Sequence, residues 1–184
     1  MIFLRTQQQR RTHSHAADLE KRNRMYKTHN SLPEEQRAKL VELLNRRLAD
    51  GIDLMLQARQ AHWNVKGPHF ITLHALFGQV ADGVEGYIDL LAERVVQLGG
   101  SAECTAYQVS RRSSLDRYPL AIADGKGHIE ALAAVLACFG KHIRYAIGQA
   151  ADLLDADSAD LFTEISRGTD RWLWLVEAHL QTAQ

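Results

Sequence analysis

The stretch QAHWNVKGPHFITLH, residues 60–74, sets His62, His69 and His74 around a Gly67-Pro68 pair. One periodic apolar pattern runs into this segment and another leaves it, so it reads as the bend of a helical hairpin. Two meanings are open for its imidazoles. They belong either to a packed junction or to half of a metal site whose other half lies elsewhere.

Upstream, Ser31-Leu32-Pro33-Glu34 has the S-x-x-E form of a capping box, and Leu40, Leu44, Leu48, Ile52 and Leu56 recur every four residues. This predicts a helix ending near Trp63, with Asn64 to Gly67 as the turn. Pro68 suits the first turn of a second helix. Its apolar face is Leu76, Phe77, Val80, Val84, Tyr87, Leu91 and Val95, and Gly99-Gly100 ends it. A third helix from about Asp124 uses Ile129, Leu132, Leu136, Phe139, Ile143 and Ile147. A fourth from near Ser158 buries Leu161, Ile165, Trp172 and Val176. Short links make each pair antiparallel, whereas residues 99–121 form a crossover carrying a short helix. The expected fold is all-α: a ferritin-like four-helix bundle over residues 31–184, an architecture that builds metal sites from inward Glu, Asp and His.

The totals agree with one domain. The chain has 184 residues, 46% of them hydrophobic, and a formal charge of zero. That charge is unevenly spread. Residues 1–32 hold seven Lys/Arg against Asp18 and Glu20, a net of +5, which leaves the rest at −5. Residues 1–30 read as a basic, flexible arm, either a finder of polyanions such as DNA or a solvated extension. Met25 is an alternative initiator. No run approaches the ~20 apolar residues of a membrane helix, and the opening MIFLR is too short for a signal peptide. The expected location is therefore cytoplasmic. Cys104 and Cys138 form no CxxC and read as reduced, partly buried small hydrophobes. No glycine-rich phosphate loop is present.

On a helical wheel with His74 at zero, Glu85 falls at about 20°, Gly78 at about 40°, Asp89 at about 60°, Asp82 at about 80° and Glu93 at about 100°. The apolar residues centre on about 270°. A charged face is usually only solvated, but the axial spacing changes that reading here. His74 and Asp89 are fifteen positions apart, roughly 22 Å along a helix, so one ion cannot touch both. Two copies of the helix, antiparallel about a twofold near residues 81 and 82, would bring His74 of one opposite Asp89 of the other. Mid-helix Gly78, Gly83 and Gly86 cost about 1 kcal/mol each relative to alanine, which close approach of a partner backbone would explain. Histidine with carboxylate suits Fe(II), Mn(II) or Zn(II).

HWNVKGPHFITLH followed by YIDLLAERVVQLGG resembles the Dps family, the DNA-binding proteins from starved cells, and the likeness extends from about Tyr26 through DRWLWLVEAHL. The resemblance implies a hollow homododecamer, cytoplasmic and nucleoid-associated. Such a cage oxidises Fe(II) with hydrogen peroxide or dioxygen, stores ferric mineral and protects DNA. It further implies a dinuclear iron site shared between two subunits, with His62 and His74 from one and Asp89 and Glu93 from its partner. Trp63 matches the near-site tryptophan able to give up an electron. The family's usual aspartate four residues after the second histidine is Gly78 here, and the expectation is that Glu85 compensates. Otherwise the chain is a nucleoid-compacting DNA-binding protein with impaired ferroxidase activity, or an ordinary ferritin-type store. His69 is expected to cap. Asp155, Asp160 and Glu164 match acids lining the family's threefold pores, although acids at such a turn also cap helices by default.

Overall fold

A residue before proline avoids the helical region, so Leu32 cannot open a helix and the start moves past Pro33. In the computed structural model, which describes residues 25–181, α1 accordingly runs Glu34–Asn64 with Pro33 at its N-cap and no side-chain cap. The capping box from Ser31 does not form. The Leu32 amide is instead taken by Asn30 Oδ1 at 2.9 Å. The helices that follow are α2 Phe70–Gln97, α3 Ala106–Arg112 in the crossover, α4 Gly125–Asp152 and α5 Ala156–Glu177. No strand occurs among the described residues. The all-α reading and the short crossover helix therefore stand.

The hairpins α1–α2 and α4–α5 pack against each other through α1 on α4 and α2 on α5, while α3 lies on α1. Between them Leu44, Leu48, Phe77, Val80, Leu91, Leu136, Phe139 and Ile143 are fully buried. The every-four stripe on α1 is not the seam over its whole length. A step of four overshoots a 3.6-residue turn by about 40°. By Ile52 the stripe is half-buried, and Leu56 is exposed. The buried line passes instead to Gly51, Leu54, Ala58 and Ala61. On α5 Ile165 and Val176 are fully buried as expected, Phe162 joins them, and Leu161 and Trp172 are only half-buried. Cys104 is exposed, not partly buried as expected, and Cys138 is half-buried; both are free thiols.

The helix ends show local rules at work. Gly99, at φ +86°, closes α2 in a Schellman arrangement in which the Gly99 and Gly100 amides donate to the Val96 and Val95 carbonyls, each at 2.9 Å. The Tyr26 amide donates to the Gly99 carbonyl at 2.7 Å, joining the chain before α1 to this corner. Asp124 caps α4 by accepting from the Gly127 amide at 2.8 Å. Pro68 lies ahead of α2 rather than in its first turn, and His69 holds the N-cap position without a side-chain cap bond.

Two of the mid-helix glycines are explained within one chain. A Cβ at Gly83 would meet Trp172 Cζ2 at 2.5 Å, and one at Gly168 would overlap the Tyr87 ring. Trp172 and Tyr87 thus fill reciprocal notches between α2 and α5. Gly78 is accounted for by the imidazole stack described below. Around Gly86 nothing lies within 4 Å, so of the three α2 glycines only Gly86 leaves an open notch.

Candidate metal centre

His62 stands in the last turn of α1, where helical carbonyls lack intrahelical donors, and His74 in the second turn of α2. The turn between them is tight. Gly67 adopts φ +104°, and the Phe70 amide donates to its carbonyl at 3.0 Å. This brings the two imidazoles into a stack, with centroids 3.7 Å apart and planes 23° from parallel. His62 Nδ1 donates to the His74 carbonyl at 2.6 Å, and His74 Nδ1 donates to the His62 carbonyl at 2.7 Å. A carbonyl only accepts, so Nδ1 is the donor in each ring, and in the neutral imidazole each Nε2 keeps a bare lone pair. That is the tautomer that presents Nε2 to a metal, and a backbone partner behind each ring fixes it.

Gly78 makes room for this stack. A Cβ there would lie 3.1 Å from both Cε1 and Nδ1 of His62. The position is therefore not an empty ligand slot within the chain, because the His62 ring lies over it. The glycine expected to admit a partner backbone instead admits an imidazole of its own chain.

The remaining predicted residues do not join the histidines inside one chain. Glu85, Asp89 and Glu93 are exposed along α2. Trp63, beside His62, is 70% exposed, and Ile71 and Val96 on the α2 surface are 74% and 60% exposed. Asp82, which the wheel put on the ligand face, is paired with Arg59 of α1. The sequence reading did not foresee that partner, although Arg59 lies one turn before His62. Among the described residues, no three His, Cys, Asp or Glu side chains gather closely enough to enclose an ion.

Directly after Glu93 the helix turns a cation inward. Arg94 is buried, and it donates from Nη2 to Asp155 Oδ1 at 2.8 Å and from Nε to Ser158 Oγ at 2.9 Å. Asp155 also caps α5 through the Ser158 amide at 3.3 Å. Burial alone would push its carboxyl up. The hydrogen bonds from Ser158 and Arg94 outweigh that and hold it below the usual aspartate range. Of the three acids matched to a pore, Asp155 is 3% exposed and committed to this lock, while Asp160 and Glu164 are exposed.

Residues 41–184 match the family model described as a ferritin-like domain. The chain is 40% identical over 156 residues to a DNA protection during starvation protein of Agrobacterium fabrum, an alignment covering 85% of this chain and 96% of that protein. Among solved structures it is similar to DpsA14 from Streptomyces coelicolor, with a TM-score of 0.81 and 33% identity over 85% of this chain and 92% of that one. It is also similar to Mycobacterium smegmatis Dps in a tetragonal form, with a TM-score of 0.81 and 30% identity over 85% and 96% of the two chains.

Proposed function

The chain belongs to the Dps family of ferritin-like proteins, and from that premise we propose that it oxidises Fe(II) at a dinuclear site shared by two subunits, using hydrogen peroxide or dioxygen. His62 and His74 of one subunit hold the iron with Asp89 and Glu93 of the other. Glu85 of the other subunit supplies the carboxylate that Gly78 lacks. The observation that carries this reading is the reciprocal histidine pair, whose two Nδ1 protons are spent on backbone carbonyls while both Nε2 lone pairs remain available. Imidazole plus carboxylate fits Fe(II).

Two Fe(II) ions give one electron each, and one peroxide takes both with two protons to become two waters. The protein's part is to orient the Nε2 donors and to keep the three carboxylates at hand. The assembled protein is a dodecameric cage that stores the ferric product and protects DNA under stress. It works in the cytoplasm, associated with the nucleoid through non-specific binding of DNA by the basic N-terminal arm. The expectations for residues 1–24 of that arm lie outside the described residues.

A second reading has its own observation. With the His62 ring over Gly78, the histidine side of the site carries no carboxylate, which favours a DNA-compacting protein with slow ferroxidation. Stopped-flow Fe(II) oxidation on wild type and Glu85→Ala separates the two. Rapid oxidation in wild type that slows at least tenfold in Glu85→Ala, the size of loss expected when a metal's supporting group is removed, is the predicted result. Equal rates would remove Glu85 from the site, and slow oxidation in both would leave the second reading.

A further inference from the structure

Cys138 takes no part in the metal centre, and its surroundings are not those of an inert core thiol. Cys138 and His142 stand one turn apart on α4, with Cys138 Sγ 3.8 Å from His142 Nε2. The other ring nitrogen, Nδ1, lies 3.4 Å from Asp50 Oδ2 on α1 and 3.3 Å from Ser114 Oγ in the crossover. Asp50 is fully buried. It accepts from the Ser114 amide at 2.8 Å, from Ser114 Oγ at 3.0 Å and from Arg47 Nη2 at 3.1 Å. The Ser114 hydroxyl proton is thereby spent on Asp50, so both neighbours of His142 Nδ1 can only accept. Nδ1 therefore carries a proton, and in the neutral ring the Nε2 lone pair faces the thiol.

A thiol, a base and a carboxylate thus stand in line, brought together from α4 and α1. The His142 side chain is 25% exposed and Cys138 is half-buried, so the sulfur is open to a solute as small as hydrogen peroxide. Arg47 adds an independent feature. Its Nε is buried without an acceptor among the described residues, and its charge is close enough to act on the thiol. A buried donor left unspent beside a nucleophile suits a small oxygen-bearing ligand. Burial pushes the Cys138 thiol up, Asp116 and Asp50 push it the same way, and Lys141 and Arg47 oppose them. A lone thiolate is therefore disfavoured. Passing the proton to His142 instead leaves the pair with no net charge, and the imidazolium so formed faces Asp50. The cluster is also remote from the metal centre, since Asp50 and His62 are twelve positions apart on α1, roughly 18 Å along the helix.

We propose that Cys138 is a peroxide-reactive thiol, with His142 as its base and Asp50 as the residue that positions His142. The step needs no iron and does not rest on the ferroxidase reading. The Cys138 proton passes to His142 Nε2, and the thiolate attacks one oxygen of hydrogen peroxide. The O–O bond breaks as the S–O bond forms, and the departing hydroxide takes the proton back from Nε2 to leave as water. Sulfur gives two electrons and peroxide takes them, so the products are one sulfenic acid and one water. An added thiol converts the sulfenic acid to a mixed disulfide and water, and a second restores Cys138.

The test uses the full-length protein freed of metal by chelation, with hydrogen peroxide as oxidant, dimedone as the trap for sulfenic acid and peptide mass spectrometry as the readout. Exposed Cys104 is the internal control. Near neutral pH, Cys138 of wild type should label at least about tenfold faster than Cys104. His142→Gln should slow Cys138 by about a hundredfold or more, the low end of what a positioned base contributes, and leave Cys104 unchanged. In that variant the thiol must ionise alone, so its rate should climb about tenfold per pH unit, whereas wild type stays nearly flat from neutrality up to the ordinary thiol range. Asp50→Asn offers an amide N–H to Nδ1, which puts the ring proton on Nε2 and should bring rate and pH slope to those of His142→Gln. Should that buried substitution fail to fold, His142→Gln decides. Labelling of Cys104 as fast as Cys138, or an unchanged Cys138 rate and pH slope in His142→Gln with an intact fold by circular dichroism, overturns the proposal. A folded Asp50→Asn with wild-type kinetics removes Asp50 from it. Failure to oxidise Fe(II) in the separate stopped-flow experiment refutes the metal-centre reading and leaves the thiol result standing.

Discussion

The two ends of α2 carry polar clusters of opposite character. At the N-terminal end His74 is locked to His62 by two short hydrogen bonds and a ring stack, so both imidazoles are oriented by the fold of one chain. Near the C-terminal end Asp89 and Glu93 stand exposed, while the lock at that end belongs to the next residue, Arg94, and faces inward to Asp155. A preoriented imidazole has already lost its rotamer freedom on folding. A free carboxylate loses it on binding, at up to ~2 kcal/mol for a Glu. The difference teaches that one chain orients its own imidazoles, whereas in the proposed site its carboxylates would take their geometry from a neighbour.

The largest effect expected breaks or confirms that division outright. His62→Ala/His74→Ala and Asp89→Ala/Glu93→Ala should each depress Fe(II) oxidation by more than about 100-fold, beyond the loss typical of a single supporting group. Co-assembly of the two variants should restore activity, because a mixed pair contains one site with all four ligands. If stopped-flow traces of the mixture show no recovery, the carboxylates and histidines do not meet across subunits.

Next in size is the inward lock. Arg94→Leu leaves Asp155 a buried, unpaired charge and should cost ~3–5 kcal/mol in chemical denaturation. The Asp155 carboxyl lies below its ordinary value, so its contribution to stability is complete above the unfolded value of about 3.9 and lost as pH falls through the lower folded one. The stability gap between wild type and Asp155→Asn should therefore be flat near neutral pH and shrink only below about pH 4. A gap that opens or closes near pH 7 would contradict the lock.

The glycines give smaller effects of opposite sign. Gly83→Ala drives a methyl into Trp172 and should destabilise by ~1–3 kcal/mol, less the helix-propensity gain. Gly86→Ala meets nothing in its own chain and should raise helix stability by up to ~1 kcal/mol. Should Gly86→Ala lower the mass of the assembly in light scattering without unfolding the subunit, a partner helix approaches that notch. Unchanged assembly would make Gly86 irrelevant to the contact.

Much of the fold was legible because helix-forming patterns, Gly99-Gly100 and Asp124 act within a few residues of themselves. Where the reading slipped, a longer-range or competing rule had decided. Pro33 overruled the Ser31 box through its effect on Leu32, and the four-residue leucine stripe drifted off the seam because a turn holds 3.6 residues. Asp155 is drawn into the core by Arg94, sixty-one positions earlier in the chain. For the site, the spacing of His62, His74, Asp89 and Glu93 was plain, but Arg59 as partner of Asp82 was not, since pairing between helices has no trace in periodicity.

The sequence by itself determined which donors lie along one face of α2 and how far apart they stand, because rise and rotation per residue are properties of the helix alone. Only the tertiary structure decided the imidazole tautomers, the ring that overlies Gly78 and the indole that fills the notch at Gly83. Those depend on which atoms of another helix come within a few ångströms, and that is set by how the whole core closes.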